Sequence, residues 1–326
     1  MRTLTLTRTP LRVSLFGGGT DLPDYYRQHG GKVLSLTIDK FVYVTVRARW
    51  DGAVSLSWTG TLADGAEQVS DPIVRAALQV TGITGGCDIA SMSDVPPGGS
   101  GLGSSSAFTV GLLHALLTAT GRDASPPVLA ELACRVEIEL LGAPIGKQDQ
   151  YAVAVGGCNE YAFHPDERVS VSAVPLPGAG LADLARHALV FATGRTRRTN
   201  DVLCDQKARI PHTAHHLHAI KQIVGPGRDR LLGGDIAGVG ALLHDGWQRK
   251  KQLSARINDN QLDDWYDRAL RAGAYGGKLL GAGGGGYFLF LAPPGAHPRV
   301  AAALPELRRM PVDFVPTGSH VVATLP

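Results

Sequence analysis

A glycine- and serine-rich segment, PPGGSGLGSSS at residues 96–106, is followed at once by an apolar run, AFTVGLLHALLTAT, at residues 107–120. The run predicts a buried helix that begins near Ala107, with the segment directly before its N-terminus. Backbone N–H groups at a helix N-terminus lack intrahelical partners and carry partial positive charge, so they bind anions. Glycines let a phosphate approach such a backbone closely. We therefore predict a phosphate-binding loop at residues 96–106.

Two further glycine clusters, FGGGTD and GAGGGG, lie far from this loop in the chain. Any single cluster is compatible with a tight turn. The serine-rich loop does not match the GxxxxGK[ST] pattern of P-loop enzymes, because no lysine follows a glycine there. The third cluster matches a dinucleotide-binding pattern at Gly281, Gly283 and Gly286, but it leads into YFLFLAPP, which predicts a strand where that pattern requires a helix. A dinucleotide-dependent oxidoreductase is therefore disfavoured.

Strand-like segments dominate the first 49 residues, helices follow the glycine–serine loop, and the rest of the chain mixes both. Ser125, followed by two prolines, is a predicted helix cap, and RRTNDVLCDQKAR and TAHHLHAIKQIV predict two separate helices. The Pro- and Gly-rich stretch PLPGAGLAD, at residues 175–183, marks the predicted domain boundary. We therefore predict an α+β fold with two domains, residues 1–178 and 179–326.

Composition narrows the class of partner. The net charge is +3 and aromatic residues form 6% of the chain, which argues against nucleic acid and is compatible with an anionic small substrate. The four cysteines lack metal or redox spacing, so we expect reduced and mostly buried thiols. The sequence contains no signal-peptide pattern and no apolar run of membrane-spanning length. We therefore expect a cytoplasmic protein without a membrane partner.

Taken in order, the three glycine clusters resemble the motifs of the GHMP kinases, named for galactokinase, homoserine kinase, mevalonate kinase and phosphomevalonate kinase. PPGGSGLGSSSA resembles the family motif P-x-x-x-G-L-G-S-S-A, with one extra residue before Gly101. TPLRVSLFGGGTDLPDYY resembles the first motif and GKLLGAGGGG the third, so the matches extend from residue 9 to residue 286. The resemblance implies the two-domain GHMP kinase fold, with an N-terminal domain like the second domain of ribosomal protein S5 and a ferredoxin-like C-terminal domain.

The segments LFGGGTDLPDYY, IDKFVYV, GAPIGKQDQYA and GKLLGAGGGGYFLF are similar to the branch of the family that acts on D-glycero-D-manno-heptose 7-phosphate. This resemblance implies an ATP- and Mg²⁺-dependent sugar kinase that phosphorylates the anomeric C1 hydroxyl to give the 1,7-bisphosphate, a precursor of nucleotide-activated heptose for bacterial surface polysaccharides. L-Fucose kinase domains are similar in the same segments, so a kinase of a free sugar stays open. A non-catalytic GHMP-fold ligand sensor is the third interpretation, and a homodimer is left open.

The resemblance also assigns roles to individual residues. Asp149 corresponds to the family's Asp beside the acceptor hydroxyl and is the predicted general base, and Arg12 corresponds to the Arg beside that Asp. Mg²⁺ is assigned to Ser105 and Glu137, with Glu139 as the rival carboxylate because it also precedes the GAPIGKQDQ turn. The residues predicted to contact ATP are Pro97, Gly99, Gly101, Leu102, Gly103, Ser104, Ser105 and Ser106.

The acceptor side is predicted from the first motif and from a basic stretch. Glycines at residues 17–19 replace the bulkier Glu-His of galactokinases, which argues for a wider or differently shaped sugar pocket. Because arginine pairs bidentately with phosphate, we predict that at least one arginine in TGRTRRTND holds the phosphate already present on the substrate. The residues predicted to contact substrate are Gly18, Gly19, Thr20, Asp21, Tyr25, Lys147, Arg195, Arg197, Arg198, Gly283 and Gly284.

Overall fold

The computed structural model describes residues 3–60, 62–96, 99–176, 178–195 and 199–325. In these residues the strands are β1 (Leu4–Phe16), β2 (Gly31–Ala48), β3 (Val54–Leu56), β4 (Leu62–Ala63), β5 (Cys87–Ser93), β6 (Cys158–Phe163), β7 (Val169–Ala173), β8 (Ala188–Ala192), β9 (Gly276–Leu279), β10 (Tyr287–Leu291), β11 (Arg308–Met310), β12 (Phe314–Val315) and β13 (His320–Leu325). The helices are α1 (Pro23–His29), α2 (Pro72–Thr81), α3 (Ser104–Ala119), α4 (Pro126–Cys134), α5 (Gln148–Val155), α6 (Gly180–His187), α7 (Thr199–Gln222), α8 (Val224–Leu232), α9 (Ile236–Lys250), α10 (Asn260–Arg271) and α11 (His297–Ala303). The predicted α+β class is confirmed.

The larger sheet is built around β1 and β2, which pair antiparallel along most of their length. Its strand order is β13-β1-β2-β5-β3-β4. Strands β6 and β12 also pair with β2, and β7 pairs with β6. Helix α3 packs against β1 and β2 and is buried around most of its circumference. A helix that is apolar on all sides needs such cover, which explains the uninterrupted apolar run after the glycine–serine loop.

Gly111 fixes how closely α3 approaches β1. The Thr7 hydroxyl donates to the Gly111 carbonyl at 2.9 Å, and a Cβ at Gly111 would lie 2.8 Å from Thr9 Oγ1. A side chain at this position would push the helix away from the strand. The first turn of α3, and the loop before it, are therefore held at a set distance from β1.

The smaller sheet has the order β11-β8-β10-β9 and lies between two apolar cores. Phe288 and Phe290 face one core, which contains Trp247 and Tyr266, whereas Leu289 faces the core of the larger sheet. A strand buried on both faces has a continuous apolar sequence. The YFLFL segment is thus a strand, as predicted. It comes directly after GAGGGG, where a dinucleotide-binding motif requires a helix.

The last two strands of the described residues belong to the larger sheet. β12 pairs with β2 and β13 pairs with β1, although both strands follow the predicted boundary. The segment after that boundary therefore contributes to both sheets. The boundary at residues 178/179 itself stays a prediction.

Four element predictions need correction. Helix α1 interrupts the strand-rich start, where Pro23 at the first helical position begins the helix. The two helices predicted around residues 197–224 form one helix, α7, which continues through Pro211 although proline removes a backbone donor. Ser125 is the N-cap residue of α4, but its side chain makes no capping hydrogen bond, and α3 begins at Ser104, three residues earlier than predicted.

The thiols agree with the sequence prediction. Cys87, Cys134 and Cys158 are buried, Cys204 is exposed, and all four are free thiols. Among the residues that the structure describes, no helix has both the length and the apolar character needed to cross a bilayer.

Candidate active site

A cavity of about 330 Å³ lies between β1, the start of α3 and the start of α7. It brings together residues from Arg12 to Ala282, and two of its lining residues, Arg12 and Asp149, are hydrogen bonded although 137 positions separate them. The predicted site residues that line it are Arg12, Gly18, Gly19, Asp21, Gly99, Gly101, Gly103, Ser104, Ser105, Ser106, Glu137 and Asp149.

The glycine–serine loop forms one wall of this cavity and leads directly into α3. Gly99, Gly101 and Gly103 have φ values of 66°, 73° and 76°, in the left-handed region that favours glycine. The first N–H groups of α3 have no intrahelical acceptor, so the helix start offers donors to an anion. Leu102 faces the other way, into the core, and its carbonyl accepts the Arg12 backbone N–H at 2.9 Å. Pro97 lies outside the described residues.

The third glycine cluster meets this wall from the other half of the chain. Gly101 and Gly281 both have φ of 73°. A Cβ at Gly281 would lie 2.3 Å from the Gly101 Cα, and a Cβ at Gly101 would lie 2.4 Å from the Leu280 carbonyl oxygen. The two loops therefore touch backbone to backbone, an approach that only glycine permits.

Glu137 is the carboxylate that faces the start of α3. It lies in a π-helical segment, Arg135–Leu140, that continues α4, and its oxygens accept from Ser105 Oγ at 2.9 Å, Ser106 Oγ at 2.8 Å and Gln150 Nε2 at 2.6 Å. Burial raises the pKa of the Glu137 carboxyl above its ordinary value. The rival, Glu139, is exposed and is not among the described lining residues.

Arg12 and Asp149 form a bidentate ion pair inside the cavity. Arg12 Nε donates to Asp149 Oδ1 at 2.8 Å and Nη2 donates to Oδ2 at 2.6 Å. Arg12 Nη1 also donates to the Gly101 carbonyl at 2.6 Å. The arginine is buried, whereas Asp149 is one-quarter exposed. One guanidinium therefore orients the carboxylate and ties it to the glycine–serine loop.

Asp21 is buried beside this pair. Its carboxylate accepts from the Gly19 N–H at 2.9 Å, the Gln148 N–H at 3.2 Å and Gln148 Nε2 at 3.1 Å. Burial, together with the negative charge of Asp149, raises the pKa of Asp21. Asp21 thus links the first glycine cluster to the start of α5.

Several predicted substrate contacts lie away from the cavity. Tyr25 is buried between α1 and α7, and its hydroxyl pairs with His218 Nδ1 at 2.6 Å. Lys147 forms an ion pair with Glu167 at 2.5 Å. The Thr20 hydroxyl donates to the backbone carbonyls of residues 17 and 32. These three residues support the walls of the site and are not among its lining residues.

Arg195, Gly283 and Gly284 are also not among the lining residues. The Arg195 guanidinium pairs with Asp259 at 2.5 Å outside the cavity, and Arg197 and Arg198 lie outside the described residues. Gly283 packs against Ile257. Neither Gly283 nor Gly284 is a lining residue, because Gly281 and Ala282 face the cavity instead.

The structure adds lining residues that the sequence patterns did not select as site residues. They include Ser14, Gln148, Gln206 and Lys250. Ser14 lies two positions after Arg12 on β1, so strand periodicity offered a weak signal for it. Gln206 lies on α7, more than fifty residues after Asp149, which is the last motif residue of the N-terminal half that lines the cavity. No sequence pattern marks Gln206.

Two lysines, Lys250 and Lys278, also line the cavity. Lys278 is buried and its Nζ donates to the Ser14 and Leu15 carbonyls at 2.9 and 3.1 Å. Burial, with the nearby charges of Lys250 and Arg12, lowers the pKa of Lys278 well below its ordinary value. Lys250 is also buried and donates to the Gly281 carbonyl.

Comparison with known proteins identifies the family. Residues 71–157 match the model of the GHMP kinase N-terminal domain and residues 219–308 match that of the GHMP kinase C-terminal domain. A D-glycero-alpha-D-manno-heptose 7-phosphate kinase of Campylobacter jejuni is 30% identical, with 94% of this chain and 95% of that protein covered. A galactokinase of Pyrococcus furiosus is 26% identical over 86% of each chain.

Solved structures share the whole architecture. A crystal structure described as a D-glycero-D-manno-heptose 1-phosphate kinase from Bacteroides thetaiotaomicron has a TM-score of 0.81 and 25% identity, and covers 98% of this chain and 99% of that one. A structure described as a putative sugar kinase from Campylobacter jejuni has a TM-score of 0.77 and 27% identity, with 99% of each chain covered. The sequence matches and the shared architecture lead to one conclusion: the chain belongs to the GHMP kinase family of ATP-dependent kinases that phosphorylate an alcohol group.

Proposed function

We propose that this protein is a sugar kinase that transfers the γ-phosphoryl group of ATP to the C1 hydroxyl of D-glycero-D-manno-heptose 7-phosphate, giving the 1,7-bisphosphate. The observation that carries the proposal is Arg12, which donates to both Asp149 and the Gly101 carbonyl. This contact sets an acceptor-side carboxylate next to a loop suited to phosphates. The 30% identity to a heptose 7-phosphate kinase supports the choice of sugar.

The nucleotide phosphates bind at the glycine–serine loop and the start of α3. Backbone donors of residues 101–106 and the partial positive charge of the helix N-terminus stabilise the β- and γ-phosphates. The hydroxyls of Ser104 and Ser105 lie at the same helix start and add donors. These interactions hold the γ-phosphorus in line with the acceptor, which is the main requirement of phosphoryl transfer.

Ser105 and Glu137 fit a magnesium ion. Mg²⁺ prefers oxygen ligands and is usually held by one or two carboxylates together with substrate phosphates. Here a buried carboxylate and a serine hydroxyl meet at 2.9 Å beside the loop. When bound, the ion neutralises charge on the phosphates. Glu137 supplies the charge, and Gln150 and Ser106 hold its second oxygen in place.

Asp149 acts on the acceptor. Its carboxylate accepts the hydrogen of the C1 hydroxyl, which makes that oxygen the better nucleophile. Arg12 holds the carboxylate in one orientation through two parallel hydrogen bonds. The phosphate already present on the sugar needs a cationic partner. Lys250, which lines the cavity, is the candidate from the structure, and the arginines at residues 195–198 remain the sequence-based alternative.

The test is ATP consumption with Mg²⁺ against D-glycero-D-manno-heptose 7-phosphate, free heptose, L-fucose, galactose and mevalonate. We expect turnover of the heptose phosphate at the highest kcat/KM, and loss of it in Asp149→Asn. Preference for L-fucose or another free sugar would contradict the proposed substrate but would still support a sugar kinase. Absence of turnover with every acceptor, with ATP still bound, would contradict the proposed reaction.

A further inference from the structure

We propose that Ser14, Gln148 and Gln206 form a recognition cluster that hydrogen bonds the sugar hydroxyls away from the reacting one. The inference rests on the proposed function, because it takes the acceptor to be a sugar. The three residues come from β1, the start of α5 and α7, and all of them line the cavity. Gln148 directly precedes Asp149, which puts the cluster at the acceptor end.

Each member presents a polar atom that is buried and lacks a hydrogen-bond partner among the described residues. These atoms are Ser14 Oγ, Gln148 Oε1 and Gln206 Nε2. Ser14 is 5% exposed and Gln206 is 2% exposed. Buried polar atoms in native proteins are almost always paired. Three unpaired ones around a single cavity therefore point to a ligand that pairs with them.

The contacts of Gln148 explain why its amide oxygen has no hydrogen-bond partner among the described residues. Its Nε2 donates to Asp21 Oδ1, the oxygen that also accepts the Gly19 N–H. Because that oxygen is an acceptor, the glutamine must turn its NH₂ group toward it. The amide oxygen is thereby left as an acceptor without a partner among the described residues.

The first glycine cluster keeps the space beside these atoms open. A Cβ at Gly19 would lie 2.8 Å from Gln206 Nε2, and a Cβ at Gly18 would lie 3.4 Å from Ser14 Oγ. Gly18 does not have the left-handed φ that makes glycine necessary elsewhere in this cluster. The missing side chain at Gly18 is therefore explained by the room it leaves in front of Ser14 and Gln148.

The chemistry of the cluster selects hydroxyl groups. It offers one donor from Gln206, one acceptor from Gln148 and a hydroxyl from Ser14 that does both. A sugar presents several groups that each donate and accept, so it can pair with all three. An acceptor with a carboxylate there would face the Gln148 oxygen and the buried Asp21 carboxyl, and an apolar acceptor would leave the three atoms unpaired.

The experiment compares Ser14→Ala and Gln206→Met with Ser35→Ala in the full-length protein. Ser35 is the cross-strand neighbour of Ser14, and its Oγ is equally buried and unpaired, but it does not line the cavity. For the first two variants we expect the KM for the sugar to rise roughly three- to tenfold, with the KM for ATP unchanged. Because each removes an unpaired polar atom, the melting temperature without ligands should stay the same or increase.

A purely structural role predicts the opposite pattern. A lower melting temperature with an unchanged KM for the sugar, or an equal rise in KM in Ser35→Ala, would overturn the recognition cluster while leaving the sugar kinase intact. If the proposed function is wrong, the unmodified protein consumes ATP with none of the sugars. That result would contradict the recognition cluster as well.

Discussion

Arg12 and Asp149, which are 137 residues apart in the chain, are joined by two parallel hydrogen bonds of 2.8 and 2.6 Å. The third donor of the same guanidinium binds the Gly101 carbonyl. Since the arginine is buried and its partner borders the cavity, the pair fixes the carboxylate relative to the glycine–serine loop. The predictions below follow from this arrangement and from the contacts around it.

Replacing Asp149 with Asn should reduce kcat by about 10²–10⁴-fold, the usual contribution of a positioned general base. The affinity for ATP should stay within a factor of about two, because the residue is on the acceptor side. Steady-state ATP consumption and calorimetric ATP titration measure the two quantities. A kcat within tenfold of the unmodified enzyme would contradict the assigned role.

Replacing Arg12 with Met should lower the free energy of unfolding by about 3 kcal/mol, because it leaves Asp149 in the cavity wall without its partner. Adding Asp149→Leu in the same chain should restore most of that stability and none of the activity. Urea denaturation of the single and double variants checks this. If the double variant is less stable than Arg12→Met alone, the pair is not the source of the loss.

Replacing Glu137 with Gln should change how stability depends on pH. Burial raises the pKa of Glu137 in the folded protein above 4.5, so the stability linked to its protonated form is complete below about pH 4.5 and is lost as pH rises through the folded pKa. The Glu137→Gln variant has no carboxyl at this position and does not lose this stability as the pH rises. Without Mg²⁺, its free energy of unfolding relative to that of the unmodified protein should therefore increase from pH 4 to pH 8, while its kcat decreases.

Urea denaturation across that range, in a chelating buffer, measures the effect. Glu139→Gln is the matched control, because Glu139 is two residues away and exposed. It should follow the unmodified protein at every pH. A constant difference between Glu137→Gln and the unmodified protein would show that the carboxyl does not titrate in this window.

Replacing Gly281 with Ala should disrupt the contact between the two glycine loops. Its Cβ would lie 2.3 Å from the Gly101 Cα, and backbone on both sides leaves no flexible group to move aside. Gly121→Ala is the control, because Gly121 has almost the same φ, 74°, but lies in open space. This substitution costs only the conformational strain of about 1–2 kcal/mol. We expect a larger loss of stability and a raised KM for ATP in Gly281→Ala only. Equal melting temperatures for the two variants would contradict the contact.

Lys250→Ala and Arg195→Ala separate the two candidate partners of the substrate phosphate. Lys250 lines the cavity, whereas the Arg195 guanidinium pairs with Asp259. We therefore expect Lys250→Ala to raise the KM for heptose 7-phosphate roughly tenfold, the typical effect of one charge-assisted hydrogen bond. The KM for free heptose, measured in parallel, should change little. A larger rise of this KM in Arg195→Ala would instead support the arginines at residues 195–198 as the partners of the substrate phosphate.

Local patterns in the sequence were sufficient for the loops and for most elements. Glycines at alternate positions before an apolar run predicted the loop and α3, because backbone conformation and helix burial depend on neighbouring residues. The split of α7 at Pro211 was wrong for a related reason, since a local helix-breaking signal was outweighed by packing along the rest of the helix.

By itself the sequence determined the α+β class, the family and the order of its three glycine motifs. Only the tertiary structure decided which side chains meet. Tyr25 and Lys147 belong to the right segments but point to partners outside the cavity, whereas Ser14 and Gln206 carry no motif and face into it. Helix and turn signals act over a few residues, but a cavity wall is assembled from strands and helices that pack across more than a hundred positions. Contacts at that range depend on the register of the sheets and the rotation of each helix, which no short stretch of sequence specifies.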